Sequence, residues 1–113
     1  MGFAPSPIVN NLLTALPEQL PEELFTTLWQ SGQVRIERIL SKGHHTPEGQ
    51  WYDQDWDEWV LLLQGEAILS YRNHKQPIRL SAGDYLLIPA HTQHRVVWTP
   101  PDTTTLWLAI HLA

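Results

Sequence analysis

The chain has 113 residues, the size of one domain, and its 7 Lys and Arg stand against 12 Asp and Glu for a formal net charge of −5. That balance leaves no basic stripe to neutralise phosphates, so neither nucleic acid nor anionic membrane is an expected partner. The absence of cysteine excludes a disulfide scaffold, thiol catalysis and any thiolate metal site, while a hydrophobic fraction of 42% is enough for a packed core.

The first residues, Met1 to Pro5, show no charged segment followed by an apolar run, and no stretch approaches the roughly 20 apolar residues that span a bilayer. A small soluble, cytoplasmic protein is expected. Residues 1–32 read as an N-terminal arm broken by Pro5, Pro7, Pro17 and Pro21. Between Asn11 and Ser31, Leu12, Leu13 and Leu16 recur at helical spacing. Pro21-Glu22-Glu23 suits a helix first turn, with Leu24, Phe25 and Leu28 after it and Ser31-Gly32 as a stop. One or two short helices lying across the domain are expected there.

After Gly32 the period changes to two. Val34 and Ile36 alternate with Arg35, Glu37 and Arg38, as in a half-buried strand. Short runs rich in Val, Ile, Leu, Tyr and Trp then follow at 59–63, 67–71, 77–80, 85–88, 94–98 and 105–112. Turn signals separate them, among them Gln64-Gly65, Ala82-Gly83-Asp84 and Pro100-Pro101-Asp102. Regular short strands of this kind predict an all-β sandwich or barrel over residues 33–113. The run Trp59 to Leu63 lacks a polar face, so that strand is expected to be covered on both sides, by the barrel interior and by a second sheet, the arm or a partner subunit.

Chemistry is expected where the strands begin. Glu58 opens one strand and His94 another. If the two strands adjoin or face each other, a carboxylate and an imidazole converge in the barrel mouth. Such a pair is part of a mixed nitrogen and oxygen site for a divalent ion: Zn, Mn, Fe, Ni or Co. Two ligands are not enough. The acidic run Asp53, Asp55, Asp57 and Glu58 reads mainly as solvated loop, although two of its carboxylates facing each other would make a usable acid or base. His74 belongs to a turn, and His111 reads as a satisfied packing residue of the last strand.

Two blocks carry a family resemblance. Glu58 followed at the seventh position by Gly65, and the run Gly83-Asp-Tyr-Leu-Leu-Ile-Pro89-Ala-His91-Thr-Gln-His94, resemble the two motifs of the cupins. The likeness extends over nearly the whole chain to short bacterial single-domain cupins, some labelled by distant likeness to sugar-phosphate isomerases. It implies a cupin-type double-stranded β-helix, a jelly-roll barrel, with a short helical N-terminal arm. It also implies a metal held by Glu58 and His94.

The chain departs from that pattern where metal-binding cupins supply His-x-His before the glutamate. Here Trp51 and Asp53 stand in those places or, one register on, Tyr52 and Gln54. Asp53 is then a third ligand, with His44, His45 and His91 as weaker alternatives. Alternatively the metal is lost and the mouth is a polar pocket. His91 replaces the second motif's second glycine. Candidate proton-handling residues are Tyr52, Asp53 and His91. The expected partners are a small oxygenated molecule, sugar-like or keto-acid-like, and a second copy of the chain as a homodimer.

Overall fold

The computed structural model describes residues 6–113. Eight strands form two antiparallel sheets: β1 (Leu24–Ser31), β2 (Val34–Ser41), β3 (Asp57–Gln64), β4 (Glu66–Tyr71), β5 (Ile78–Ser81), β6 (Tyr85–Ile88), β7 (His94–Trp98) and β8 (Thr105–Leu112). Five strands make one sheet in the order β1-β2-β8-β3-β6, and three make the other in the order β5-β4-β7. Apolar side chains from the facing sides of both sheets form the core, among them Val60, Leu62, Leu69, Leu80, Ile88 and Trp107. The fold is the all-β, jelly-roll arrangement that the strand spacing and the motif blocks imply. No helix of the described residues is long and apolar enough to cross a membrane.

The arm differs from expectation. The described residues contain no helix, and residues 1–5 lie outside them. Instead, Leu24 to Ser31 pairs along β2, from Leu24 opposite Leu40 to Ser31 opposite Val34. Gly32 and Gln33 form the two-residue hairpin loop, with Gly32 at φ 55°. The Ser31-Gly32 signal therefore marks a strand turn rather than a helix stop. Residues 24–29 include Phe, Trp and two threonines, types that favour a pleated strand, and pairing with β2 overrides the helical spacing of the leucines. Upstream of β1 the arm is irregular. It is tied across the sheet by Arg38 Nη1 donating to the Leu12 and Thr14 carbonyls and by Lys42 Nζ donating to the Glu18 carbonyl.

The outer face of the five-stranded sheet carries an apolar row across all its strands, beside Arg38, which holds the arm. The register lines up Trp29, Ile36, Ile110, Trp59 and Leu87 in one row. Trp59, Leu61 and Leu63 are half-buried on this face, so β3 is only partly covered on its outer side.

Gly65 lets the chain leave β3 for β4 in the other sheet. Its φ is +91°, and a Cβ there would meet Thr105 Oγ1 at 2.5 Å and Thr105 Cα at 2.8 Å. Thr105 is fully buried and cannot give way. Gly83 has a similar φ, +94°, but open space around it. Backbone strain alone thus separates from strain plus collision. Gly83→Ala is expected to cost about 1–2 kcal/mol and Gly65→Ala about 3 kcal/mol or more, read as midpoint shifts in urea unfolding.

Candidate functional site

The two-residue alternation of four strands directs ionisable side chains into one end of the barrel. On β3, Glu58, Val60 and Leu62 face inward, and on β8 Trp107, Ala109 and His111 do. On β2, Glu37, Ile39 and Ser41 share the inner face. His94 opens β7 in the opposite sheet. An isolated bridge holds it, with Tyr52 N–H donating to the His94 carbonyl at 2.8 Å and His94 N–H to the Tyr52 carbonyl at 3.1 Å. The result is a cavity of about 90 Å³. Val60, Leu69, Ile88, Val96, Ile39, Trp107 and Phe25 supply its apolar lining, and Glu23, Glu37, Tyr52, Gln54, Glu58, His94 and His111 its polar lining.

Hydrogen bonds fix the tautomers of both histidines. His94 Nδ1 lies 2.8 Å from the Thr92 carbonyl, which can only accept, so Nδ1 carries a proton and, in the neutral ring, Nε2 presents a lone pair. That Nε2 lies 3.9 Å from Glu58 Oε2, close but beyond a hydrogen bond. His111 is the opposite case. The Trp56 indole N–H, a donor only, reaches its Nδ1 at 2.8 Å, so the proton sits on Nε2 and is directed to Glu37 Oε1 at 3.0 Å. Both nitrogens of His111 are engaged.

Glu58 is only 8% exposed, and burial raises its carboxyl above the ordinary range. His111 and His94 act in the opposite sense, Glu37 adds to the rise, and a hydrogen bond with Gln54 opposes it. The Tyr52 phenol is likewise raised by burial, and then by Glu23 and Glu58. Its ring stacks on His94 with centroids 5.7 Å apart.

Glu58, His94 and Tyr52 thus share the cavity, while the other candidate residues do not join them. Asp53 lies outside, its Oδ1 3.6 Å from His91 Nδ1 and its Oδ2 accepting from Gln93. His91 has φ 63°, which accounts for a glycine at this place in the family motif, and its side chain is exposed beside Asp53 and Asp55. His44 Nδ1 accepts from the Lys42 N–H, and His45 Nδ1 meets the Thr46 carbonyl. Alternation along 51–54 selects the second register: Tyr52 and Gln54 face the cavity.

Sequence reasoning missed Glu37, which it put on the polar side of a half-buried strand, and Glu23, which it read as a helix first turn. It also missed the Trp56–His111–Glu37 chain. The signal available was the parity of Glu37, Ile39 and Ser41 on one face of β2.

A cupin-domain family model matches residues 38–111, and the chain belongs to the cupin family. Among solved structures it is similar to a candidate mannose-6-phosphate isomerase from Ralstonia eutropha. The two are 40% identical over 94% of this chain and 98% of that one, with a TM-score of 0.90. It is also similar to a cupin superfamily protein from Desulfitobacterium hafniense, with 26% identity, 86% and 83% coverage and a TM-score of 0.70. A conserved Streptococcus pyogenes protein of unknown function shares the fold at 18% identity, 96% and 90% coverage and a TM-score of 0.72. None of the curated proteins matches the chain.

Many cupins hold a metal, and a centre of that kind needs three or more donors aimed at one point. Glu58 and His94 supply two. Asp53 lies outside the cavity, and His111 has no free lone pair. Among the described residues no group of three or more His, Cys, Asp or Glu is placed to hold a metal ion. The side-chain arrangement does not form such a centre.

The raised Glu58 carboxyl has a consequence for stability. The folded state holds its proton more tightly than the unfolded chain does. Its contribution is therefore complete below the unfolded value near 4.5 and is lost as pH rises through the displaced one. Glu58→Gln removes the cost of burying a charge. The variant is expected to melt above the parent at about pH 8, with the gap closing as pH falls toward that unfolded value. Calorimetric scans across pH check the sign.

Proposed function

We propose that the barrel mouth binds a small oxygenated molecule of sugar or enol type and exchanges a proton with it through His94 and Glu58. The observation that carries this reading is the buried pair itself: a ring-nitrogen lone pair and a carboxyl facing one cavity from opposite sheets, 3.9 Å apart. His94 Nε2 takes a proton from the carbon beside a carbonyl. That C–H electron pair becomes a C=C bond, and the carbonyl π pair takes the proton of the Glu58 carboxyl. Reversal at the neighbouring carbon isomerises the substrate with no co-reactant. Burial supports the role of Glu58 by favouring its protonated form.

The name of the Ralstonia relative also points to isomerisation. A phosphate group is a poor match, because no Lys or Arg lines this cavity among the described residues. Tyr52 and Gln54, standing where metal-binding cupins carry histidines, favour a second reading as a binding module without catalysis. One experiment separates the two. With dihydroxyacetone in D2O, the protein is expected to speed deuterium uptake at the carbons beside the carbonyl, and Glu58→Gln or His94→Ala to reduce it at least tenfold. Exchange no faster than buffer overturns the catalytic reading.

We also propose a homodimer built on the outer face of the five-stranded sheet. That face carries the row from Trp29 to Leu87, with Trp29 55% and Leu87 49% exposed. Five strands of up to eight residues span about 19 by 27 Å, about 500 Å² in projection before side-chain relief. A stable interface buries about 800 Å² per partner; the end of this face at Leu40 and Leu106 is already covered within the chain, so the contact must draw on side-chain relief and the arm as well. Light scattering is expected to give twice the 13.0 kDa chain mass, and the single mass for Trp29→Asp combined with Leu87→Asp. A monomeric parent overturns the proposal.

A further inference from the structure

The polar atoms that the cavity leaves unspent are almost all acceptors. Glu23, Glu37 and Glu58 line it, and no Lys or Arg does among the described residues. The donors beside them are already engaged. The Ser41 hydroxyl donates to Glu23, His111 Nε2–H is directed to Glu37, and the Gln54 side chain is hydrogen-bonded to Glu58. Arg35 Nε lies 3.9 Å from Glu37 Oε2, but Arg35 is not among the lining residues. The Tyr52 hydroxyl, which meets Thr46, can serve either way.

His94 supplies the independent sign of a ligand. It is 5% exposed, its Nδ1 is spent on Thr92, and its Nε2 lone pair faces the cavity with no hydrogen-bond partner among the described residues. The atom is open to the cavity, where a ligand donor can reach it. The matching ligand brings donors and positive charge to this end of the cavity.

We propose that the cavity recognises the ammonium group of a small organic amine, held by Glu58 and His94 Nε2, with Glu23 and Glu37 adding negative charge to the same cavity and the ligand's carbon body on Val60, Leu69 and Ile88. This inference rests on the reading of the cavity as a small-molecule site and adds the charge of the ligand. An ammonium offers three donors and no acceptor and favours the ionised form of Glu58, whereas a carboxylate or phosphate would meet like charge from Glu23 and Glu37 and the lone pair of His94. The apolar walls favour an organic cation over a bare ion, and the aromatic residues Phe25, Tyr52 and Trp107 add attraction for positive charge. A volume near 90 Å³ holds about six to nine water-sized units, which limits the enclosed part of the ligand to a similar number of heavy atoms.

Three probes of one shape test the proposal on the full chain: cyclopentylamine, cyclopentanol and cyclopentanecarboxylate. Affinity is read by calorimetry and binding position by the indole signals of Trp56 and Trp107 in nitrogen-labelled protein. The amine is expected to bind at least tenfold more tightly than the alcohol, and the carboxylate not to saturate. Glu37→Gln and Glu58→Gln should each lower the amine-to-alcohol affinity ratio at least threefold. Glu23→Gln serves if a buried variant fails to fold. An alcohol that binds as well as the amine, or a carboxylate that binds best, overturns the ammonium assignment and leaves the small-molecule site standing. Failure of all three probes to move either indole overturns both. Stoichiometric Zn²⁺ or Mn²⁺ binding that depends on Glu58 and His94 and excludes the amine also overturns the ammonium assignment.

Discussion

The structure turns on the cost of placing two carboxylates and two imidazoles inside one end of a β-barrel. An ionised carboxylate taken from water is stable only where hydrogen bonds or opposite charge replace the lost hydration. Glu37 meets this condition: His111 Nε2–H faces it at 3.0 Å, and the Trp56 indole fixes that proton's position from the far side of the ring. Glu58 meets it only in part. His94 is 3.9 Å away with its lone pair forward, and the carboxyl responds to burial by holding its proton. The unequal compensation divides the two pairs by role. One is closed, and the other is open toward the cavity.

The fold was legible because its signal is local and repeated. Seven runs of alternating or continuous apolar residues, punctuated by Gly65, Ala82-Gly83-Asp84 and Pro100-Pro101, mark β2 to β8. Strand β1 was not legible, for a physical reason. Leu24, Phe25 and Leu28 fit a helical stripe as well as they fit a bulged strand, and the pairing irregularity between Thr27 and Trp29 breaks the period of two. Its identity as a strand comes from β2, a partner the local sequence cannot display.

The site was half legible. Glu58 and His94 are separated by 36 positions, yet one is the second residue of β3 and the other the first of β7, so their meeting could be anticipated. Glu37 could not be found by the rule that apolar residues face inward, because a cavity wall inverts that rule at its polar end. Ile36 faces outward and Glu37 inward, although hydrophobicity alone assigns them the other way. Asp53 failed for a related reason. Once Tyr52 pairs with His94, alternation sends residue 53 to the opposite side, where it meets His91 and Gln93.

The Tyr52–His94 bridge also links stability to the site. It ties the loop before β3 to the first residue of β7, so the position of the His94 ring depends on backbone bonds rather than on its own packing alone. His94 is further held by its Nδ1–H to Thr92 and by the stacked Tyr52 ring, leaving one degree of chemical freedom, the Nε2 lone pair. Preorganisation of this kind leaves little side-chain entropy to be lost when a ligand binds. It also explains how the chain tolerates an open acceptor and an under-compensated carboxyl side by side. Both face one mouth, and a cationic donor entering it would compensate both.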